Sequence, residues 1–179
     1  KKIKLGIFDI RDKKKLEKFI NKSKPSIIFH LAAQPLIIES YMKPHQTIDI
    51  NLNGTLNVLE VVKNSNFIKS LVMITSDKCY ENVGKLTRYK EEDVLGGIDP
   101  YSASKSSSEL IIRAYRESFF KDKNRCGISS ARAGNVIGGG DWSANRLIPD
   151  GIRSLLKGKT IFLRNPNFNR PWQHVLEPL

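Results

Sequence analysis

Cysteine is scarce in this chain. Cys79 and Cys126 are the only two in 179 residues, and they fit no metal-ligand spacing. That excludes a disulfide-stapled scaffold or a cysteine-built zinc site, and two reduced thiols fit a cytoplasmic protein. Long apolar runs are also missing. None approaches the roughly 18–20 residues that a membrane-crossing helix needs, and no signal-peptide pattern opens the chain. Negative charge is short: 18 acidic residues face 30 basic ones, a net charge of +12. Such an excess fits a solvated lysine-rich face, an anionic small substrate or nucleic acid. The lysines near the start (Lys13, Lys14, Lys15, Lys18, Lys22, Lys24) lack the interleaved aromatics of a base-stacking platform, which argues against nucleic acid. Repeats and low-complexity segments are absent too.

What is present is alternation. Ile3 to Phe8 reads as a strand, and Asp12 caps a charged helix to about Asn21. Ile27 to Leu31 reads as a strand, apolar but for His30. A helix follows from about Gln46 to Lys63, with Leu52, Leu56, Leu59 and Val62 at helical spacing. Ser70 to Ile74 reads as another buried strand, and residues 77 to 99 as a polar loop. Pro100 opens a long helix to about Phe120. Ile128 to Ala133 is a strand, followed by a glycine-rich turn from Gly134 to Gly140, a helix from Leu147 to Lys157 and a strand from Thr160 to Leu163. Strands alternating with helices of this length predict an α/β fold with a parallel sheet covered by helices.

Two stretches carry chemistry. Tyr101 and Lys105 lie one helical turn apart and share a face. An ammonium there lowers the phenol's pKa and lets it act as a base near neutral pH. Thr75-Ser76-Asp77-Lys78 follows an apolar strand, so it delivers a hydroxyl, a carboxylate and an ammonium to the carboxyl end of the sheet, where open α/β folds keep their ligands. A lone Tyr-x-x-x-Lys is a weak signal, and context must judge it. A glycine-rich turn between a first strand and helix, the usual pyrophosphate cradle, is not found near the start. The Gly138-Gly139-Gly140 run comes later and reads as a substrate-side loop. The chain is therefore expected to be an internal piece of a longer protein.

Four further blocks complete a pattern: Asp9-Ile10-Arg11-Asp12, His30-Leu31-Ala32-Ala33-Gln34-Pro35, Asn51-Leu52-Asn53-Gly54-Thr55 and Arg132-Ala133-Gly134-Asn135-Val136. In this order, with the Tyr/Lys pair between the last two, the chain resembles the extended short-chain dehydrogenase/reductases that modify nucleotide sugars. Thr75 to Tyr80, Gly138 to Trp142 and Arg170 to Leu179 narrow the resemblance to the CDP-glucose 4,6-dehydratases. It covers essentially the whole chain and is looser between Glu81 and Asp99.

The resemblance implies a Rossmann-type doubly wound parallel sheet, without its first glycine-rich βα unit and most of its C-terminal substrate lobe. Residues 1–140 would form a partial NAD-binding domain carrying the catalytic residues, and 141–179 the start of the substrate-binding region. The cofactor would be NAD and the substrate CDP-glucose. No metal, membrane or nucleic acid is implied, and the intact enzyme would be a cytoplasmic homodimer or homotetramer. Asp9 and Ile10 would meet the adenine, while Ala32, Ala33 and Gln34 pass beside the ribose and pyrophosphate. Asn51 would hold water near the lysine. Tyr101 would be the base, and Lys105 its pKa-lowering partner on the nicotinamide ribose. Ser76 would bind the sugar's 4-oxygen and Asp77 would be the elimination acid. Lys78 would be either the C5 base or an enolate stabiliser. Asn135 would lie near the nicotinamide and the sugar diphosphate; read from the residues themselves, Arg164 and Arg170 sit where a fork of donors could grip a diphosphate, Arg170 the preferred one for its place beside Pro171-Trp172. An epimerase or decarboxylase on the same scaffold, a dehydratase for a dTDP- or GDP-sugar, and a non-catalytic module are the rival readings.

Overall fold

The computed structural model describes residues 3–84, 88–122 and 125–179. The chain divides into two compact units, Lys1–Arg132 and Ala133–Leu179.

The first unit is built around three parallel strands: β1 (Ile27–His30), β2 (Ser70–Ile74) and β3 (Gly127–Ala131), in the order β1-β2-β3. Ile27 pairs with Ser70, and Ser70 with Gly127. Parallel pairing requires long crossovers, and the helices supply them. The first helix, α1 (Lys13–Ser23), precedes β1. Its cap is Asp12, whose carboxylate accepts the Lys15 amide at 3.1 Å. Between β1 and β2 run α2 (Ile37–Met42), α3 (Pro44–Ile48), a π-helical turn (Asp49–Asn53) and α4 (Gly54–Lys63). A 3-10 turn (Asp77–Cys79) and the long helix α5 (Pro100–Phe119) join β2 to β3. Asp99 caps α5 by accepting the Ser102 amide at 2.9 Å, and Pro100 occupies the first turn, where its missing N–H does no harm.

The core forms where α1, α4 and α5 meet one face of the sheet. Leu16 and Ile20 of α1, Val58, Leu59, Val61 and Val62 of α4, Leu71 and Met73 of β2, Ile112 of α5 and Ile128 of β3 are all buried there. Alternation along β2 puts Leu71 and Met73 on this face. Phe29 points the other way and is 63 % exposed.

Ile3 to Phe8 shows the period-two pattern of a strand but adopts none. Ile3, Leu5 and Ile7 are exposed, and the stretch pairs with none of the described strands. Phe8 instead packs on Phe19 of α1, with ring centroids 5.7 Å apart. The expected helix from Gln46 starts slightly earlier and is interrupted by the π turn at Asn51.

The second unit pairs β4 (Asn135–Ile137) in parallel with β5 (Trp172–His174) and carries α6 (Leu147–Leu156). The sequence reading placed β4 within a turn and left β5 out. Thr160 to Leu163, expected as a strand, is irregular and exposed. Gly134 and Gly138 explain the close approach: a Cβ at either would meet Pro171 or Val175 at 2.9 Å.

Candidate active site

The chemistry-bearing residues of the first unit gather at the carboxyl end of the sheet. Tyr101 and Lys105 share the buried face of α5, with 8 % and 7 % exposure. The serines of this helix satisfy themselves locally. Ser104 donates to the Tyr101 carbonyl at 2.7 Å and Ser108 to the Ser104 carbonyl at 2.8 Å. Small side chains with internally bonded hydroxyls let α5 pack closely without stranding polar atoms. The Lys105 ammonium reaches the Ile74 carbonyl at 3.5 Å. Ile74 is the last residue of β2, so this contact brings the helix lysine to the strand end that carries Thr75 to Lys78. Burial pushes Lys105 down to about 8, with Cys79 and Glu109 pulling the other way. Burial likewise pushes the Cys79 thiol up to about 12, which makes it inert and not nucleophilic.

The 3-10 turn arises because Ser76 is extended and caps it. Its hydroxyl accepts the Lys78 amide at 3.2 Å and donates to the Asp77 carboxylate at 3.2 Å. The Lys78 ammonium lies 3.4 Å from the other Asp77 oxygen. Ser76, Asp77 and Lys78 are thus one connected group beside Lys105.

The residues proposed for cofactor contact surround β1 and the π turn. Asn51 is almost fully buried. Its Oδ1 accepts the Gln34 amide at 2.8 Å, while its Nδ2 donates to the Gln34 carbonyl at 3.1 Å and to the Ser104 hydroxyl at 2.8 Å. The π turn widens the helix at this point, a geometry often found at functional sites. It ties the loop after β1 to α5, one residue before Lys105. Ala33 is half-buried and Ala32 exposed. Ile10 packs against Gly54, where a Cβ would come within 2.8 Å of it. The Asp9 carboxylate is gripped at both oxygens by Arg11, at 2.7 and 3.0 Å, and Arg11 also binds Asp49 at 2.8 Å. Hydrogen bonding from Arg11 pulls Asp9 down to about 2.

In the second unit, Asn135 pairs with Trp172 across β4 and β5. Arg170 donates to the Asn169 carbonyl at 3.2 Å and stacks on Phe168 at 5.4 Å. Arg164 donates to the Asn145 carbonyl at 2.8 Å. Both arginines are exposed.

Three residues escaped the sequence reading. Glu109 is 4 % exposed and accepts from Thr75 Oγ1, from Ser130 at 2.9 Å and from Arg132 at 2.9 Å. The signal was available: Glu109 falls one turn after Lys105 and two after Tyr101, an acid on the buried stripe. Arg132, beyond its acceptance by Glu109, lies 4.9 Å from the Tyr80 ring. His30, buried at the end of β1, has Nε2 3.5 Å from the Thr55 hydroxyl, and burial pushes it down to about 4. His30 opens the His30–Pro35 block that carries the family resemblance, yet no spacing there gives the imidazole a role.

A parallel α/β sheet with the helix carrying Tyr101 and Lys105 set against the turn after β2, at its carboxyl end, is a Rossmann-type arrangement. The GDP-mannose 4,6 dehydratase family model matches residues 1–178, and the chain belongs to that family. It is 51 % identical over 177 residues to the CDP-glucose 4,6-dehydratase of Salmonella typhimurium, covering 97 % of this chain and 49 % of that protein. The crystal structure of dTDP-glucose 4,6-dehydratase from Bacillus anthracis, in complex with NAD, superposes with a TM-score of 0.80 at 30 % identity. It covers 95 % of this chain and 50 % of that one. A Thermotoga maritima UDP-glucose 4-epimerase shares the fold at a TM-score of 0.83 and 21 % identity, over 95 % of this chain and 54 % of its own. The chain thus spans about half the length of the relatives it matches. Among the described residues, no helix is long and apolar enough to cross a membrane.

Proposed function

We propose that the protein carrying this chain is an NAD-dependent hydro-lyase that converts CDP-glucose to CDP-4-dehydro-6-deoxyglucose. The observation that carries this reading is the junction of α5 with the turn after β2. There the Lys105 ammonium sits 3.5 Å from the Ile74 carbonyl, beside the linked Ser76, Asp77 and Lys78. The CDP moiety rests on the 51 % likeness to the CDP-glucose enzyme.

The residues present fit a dinucleotide. Single-carbon side chains at Ala32 and Ala33 leave the backbone at the end of β1 open to a flat ligand, and the Gln34 backbone behind them is fixed by Asn51. Asp9 and Ile10 would lie at the adenine end. When bound, NAD supplies the hydride acceptor for C4 and the hydride donor for C6.

The chain's own groups perform the proton chemistry. Tyr101 takes the C4 hydroxyl proton, assisted by the neighbouring Lys105 charge. Ser76 orients the 4-oxygen. The C4 ketone so formed acidifies the C5 proton; a base takes that proton, and the C6 hydroxyl leaves as water on receiving a proton from Asp77 in its acid form. Lys78, beside Asp77, would either take the C5 proton as a neutral amine or stabilise the enolate as an ammonium. Asn135, Arg164 and Arg170 would bind the diphosphate, guanidinium being the group suited to forked contacts with phosphate oxygens.

A 4-epimerase is the second reading, favoured by the shared fold. It needs no elimination acid, so the Asp77-Lys78 pair disfavours it. Full-length protein supplied with NAD and, separately, CDP-, dTDP-, GDP- and UDP-glucose tests the assignment. Loss of one water from CDP-glucose alone is the expected result. Absence of product from all four, with NAD bound, would overturn the dehydratase reading. We place the enzyme in the cytoplasm as a homo-oligomer that makes deoxysugar precursors for cell-surface polysaccharide.

A further inference from the structure

We infer that Glu109 is a positioning residue that sets the Ser76-Asp77-Lys78 turn against Tyr101 and Lys105; the inference rests on the dehydratase reading above. Glu109 belongs to the helix face that presents the tyrosine and the lysine, but its carboxylate reaches past them to the sheet. One oxygen accepts the hydroxyl of Thr75, the residue before Ser76. The other accepts Ser130 at 2.9 Å and Arg132 at 2.9 Å. Thr75 is also held by β3, its amide donating to the Ala131 carbonyl at 2.9 Å. Arg132 continues the chain of contacts. Its guanidinium lies 4.9 Å from the ring of Tyr80, the residue closing the turn, and donates to the Glu91 carbonyl at 3.0 Å.

One buried carboxylate therefore fixes the residue before the turn directly and the residue after it through Arg132. Both anchors are referred to the helix that carries the proton-transfer pair. A buried ion pair by itself is weak evidence for any role. Here, however, three donors from the ends of two strands converge on both oxygens, and the only segment between the anchored points is the one carrying Ser76, Asp77 and Lys78. Misplacing reacting groups by about 1 Å can cost about 100-fold in rate, so slack in this clamp is expected in turnover before it appears in binding.

The test uses the full-length protein with Glu109→Gln, which keeps the shape but removes the charge and sets an amide donor against the existing donors. Thr75→Val, which removes one donor and keeps the volume, is the milder companion. Hydrogen exchange of the amides of residues 76–80 is compared with that of residues 58–62 in the core. Exchange in the turn is expected to rise about tenfold or more in Glu109→Gln and less in Thr75→Val, with the core unchanged. In parallel, kcat for CDP-glucose is expected to fall about 30- to 100-fold in Glu109→Gln, with KM moving less than about threefold. Unchanged exchange in the turn overturns the inference whether or not the wild type dehydrates any sugar. Raised exchange with unchanged kcat overturns it as well. A wild type that shows no dehydration sinks the proposed function separately, leaving the exchange data to decide the clamp. If Glu109→Gln does not fold, Thr75→Val carries both readouts.

Discussion

The two units handle polar groups in opposite ways. In Lys1–Arg132 the buried polar groups of the site have partners: Asn51 bonds Ser104 and Ser108, Lys105 the Ile74 carbonyl, Glu109 Thr75, Ser130 and Arg132, and Ser76 its neighbours Asp77 and Lys78. In Ala133–Leu179 only Pro149 and Gly151 are buried, and Arg164 and Arg170 are exposed on long side chains tied only to nearby carbonyls. Proton transfer demands groups fixed in place before substrate arrives, whereas gripping a charged diphosphate tolerates mobile donors. Substitutions in the first unit should therefore act on kcat and stability, and those in the second on KM.

The hardest strike at the first unit is Tyr101→Phe. Loss of the phenol is expected to lower kcat by about 1000-fold or more while KM stays within a few-fold. Steady-state assay of the full-length protein checks this, and substantial residual turnover would transfer the base role to another group. Next is Asn51→Leu, which leaves the Gln34 amide and the Gln34 carbonyl without their side-chain partner, while Ser104 keeps its bond to the Tyr101 carbonyl. A stability loss of about 2–4 kcal/mol is expected from urea unfolding, since two part-buried backbone groups lose their partner. A loss below about 1 kcal/mol would mean the link between β1 and α5 is dispensable.

Burial also predicts a pH signature. His30 is pushed down from its ordinary 6.5 to about 4, first by burial and then by the Lys105 charge. The unfolded chain therefore takes up its proton first as pH falls. Stability from neutral His30 is complete above about pH 6.5 and is lost progressively towards about pH 4. Between about pH 7 and pH 5 the wild type should lose about 2 kcal/mol that His30→Gln does not lose. Parallel pH dependence in the two proteins would show that the histidine titrates freely. Carboxylates such as Asp9, pulled down to about 2, lose their contribution at lower pH and fall largely outside this window.

How much of this was legible in the sequence follows the same division. Tyr101 and Lys105 were readable because helical periodicity fixes their mutual placement, β1 and β2 because largely apolar runs bounded by polar residues have few other solutions, and β3 from its place after a long helix in the strand–helix alternation. Ile3 to Phe8 and Thr160 to Leu163 misled because a short apolar pattern records a tendency to pair, while pairing itself depends on where the rest of the fold carries the segment. β4 and β5 are three residues each and depend on Gly134 and Gly138 letting Pro171 and Val175 approach, which no local pattern announces. The partners of Glu109 lie 21 to 34 residues away in sequence. Only the assembled sheet brings Thr75, Ser130 and Arg132 to one carboxylate, although the position of Glu109 on the buried stripe could have raised the question.

The smallest expected effect tests the second unit. Arg170 stacks its guanidinium 5.4 Å from the Phe168 ring and uses one nitrogen on the Asn169 carbonyl, so the rest of the fork remains to meet phosphate oxygens. Arg170→Lys keeps the charge but replaces the planar fork with a point cation, which stacks less well and cannot make paired bonds. KM for CDP-glucose should rise about 3- to 10-fold with kcat within about twofold, because a contact made equally in the ground and transition states contributes only uniform binding. Arg164→Lys should behave alike but more weakly, as its contact to the Asn145 carbonyl at 2.8 Å competes with phosphate. A fall in kcat instead, with KM unchanged, would place Arg170 among the groups that act on the transition state. The division between a fixed catalytic unit and an adaptable binding unit would then fail at the residue where it is easiest to measure.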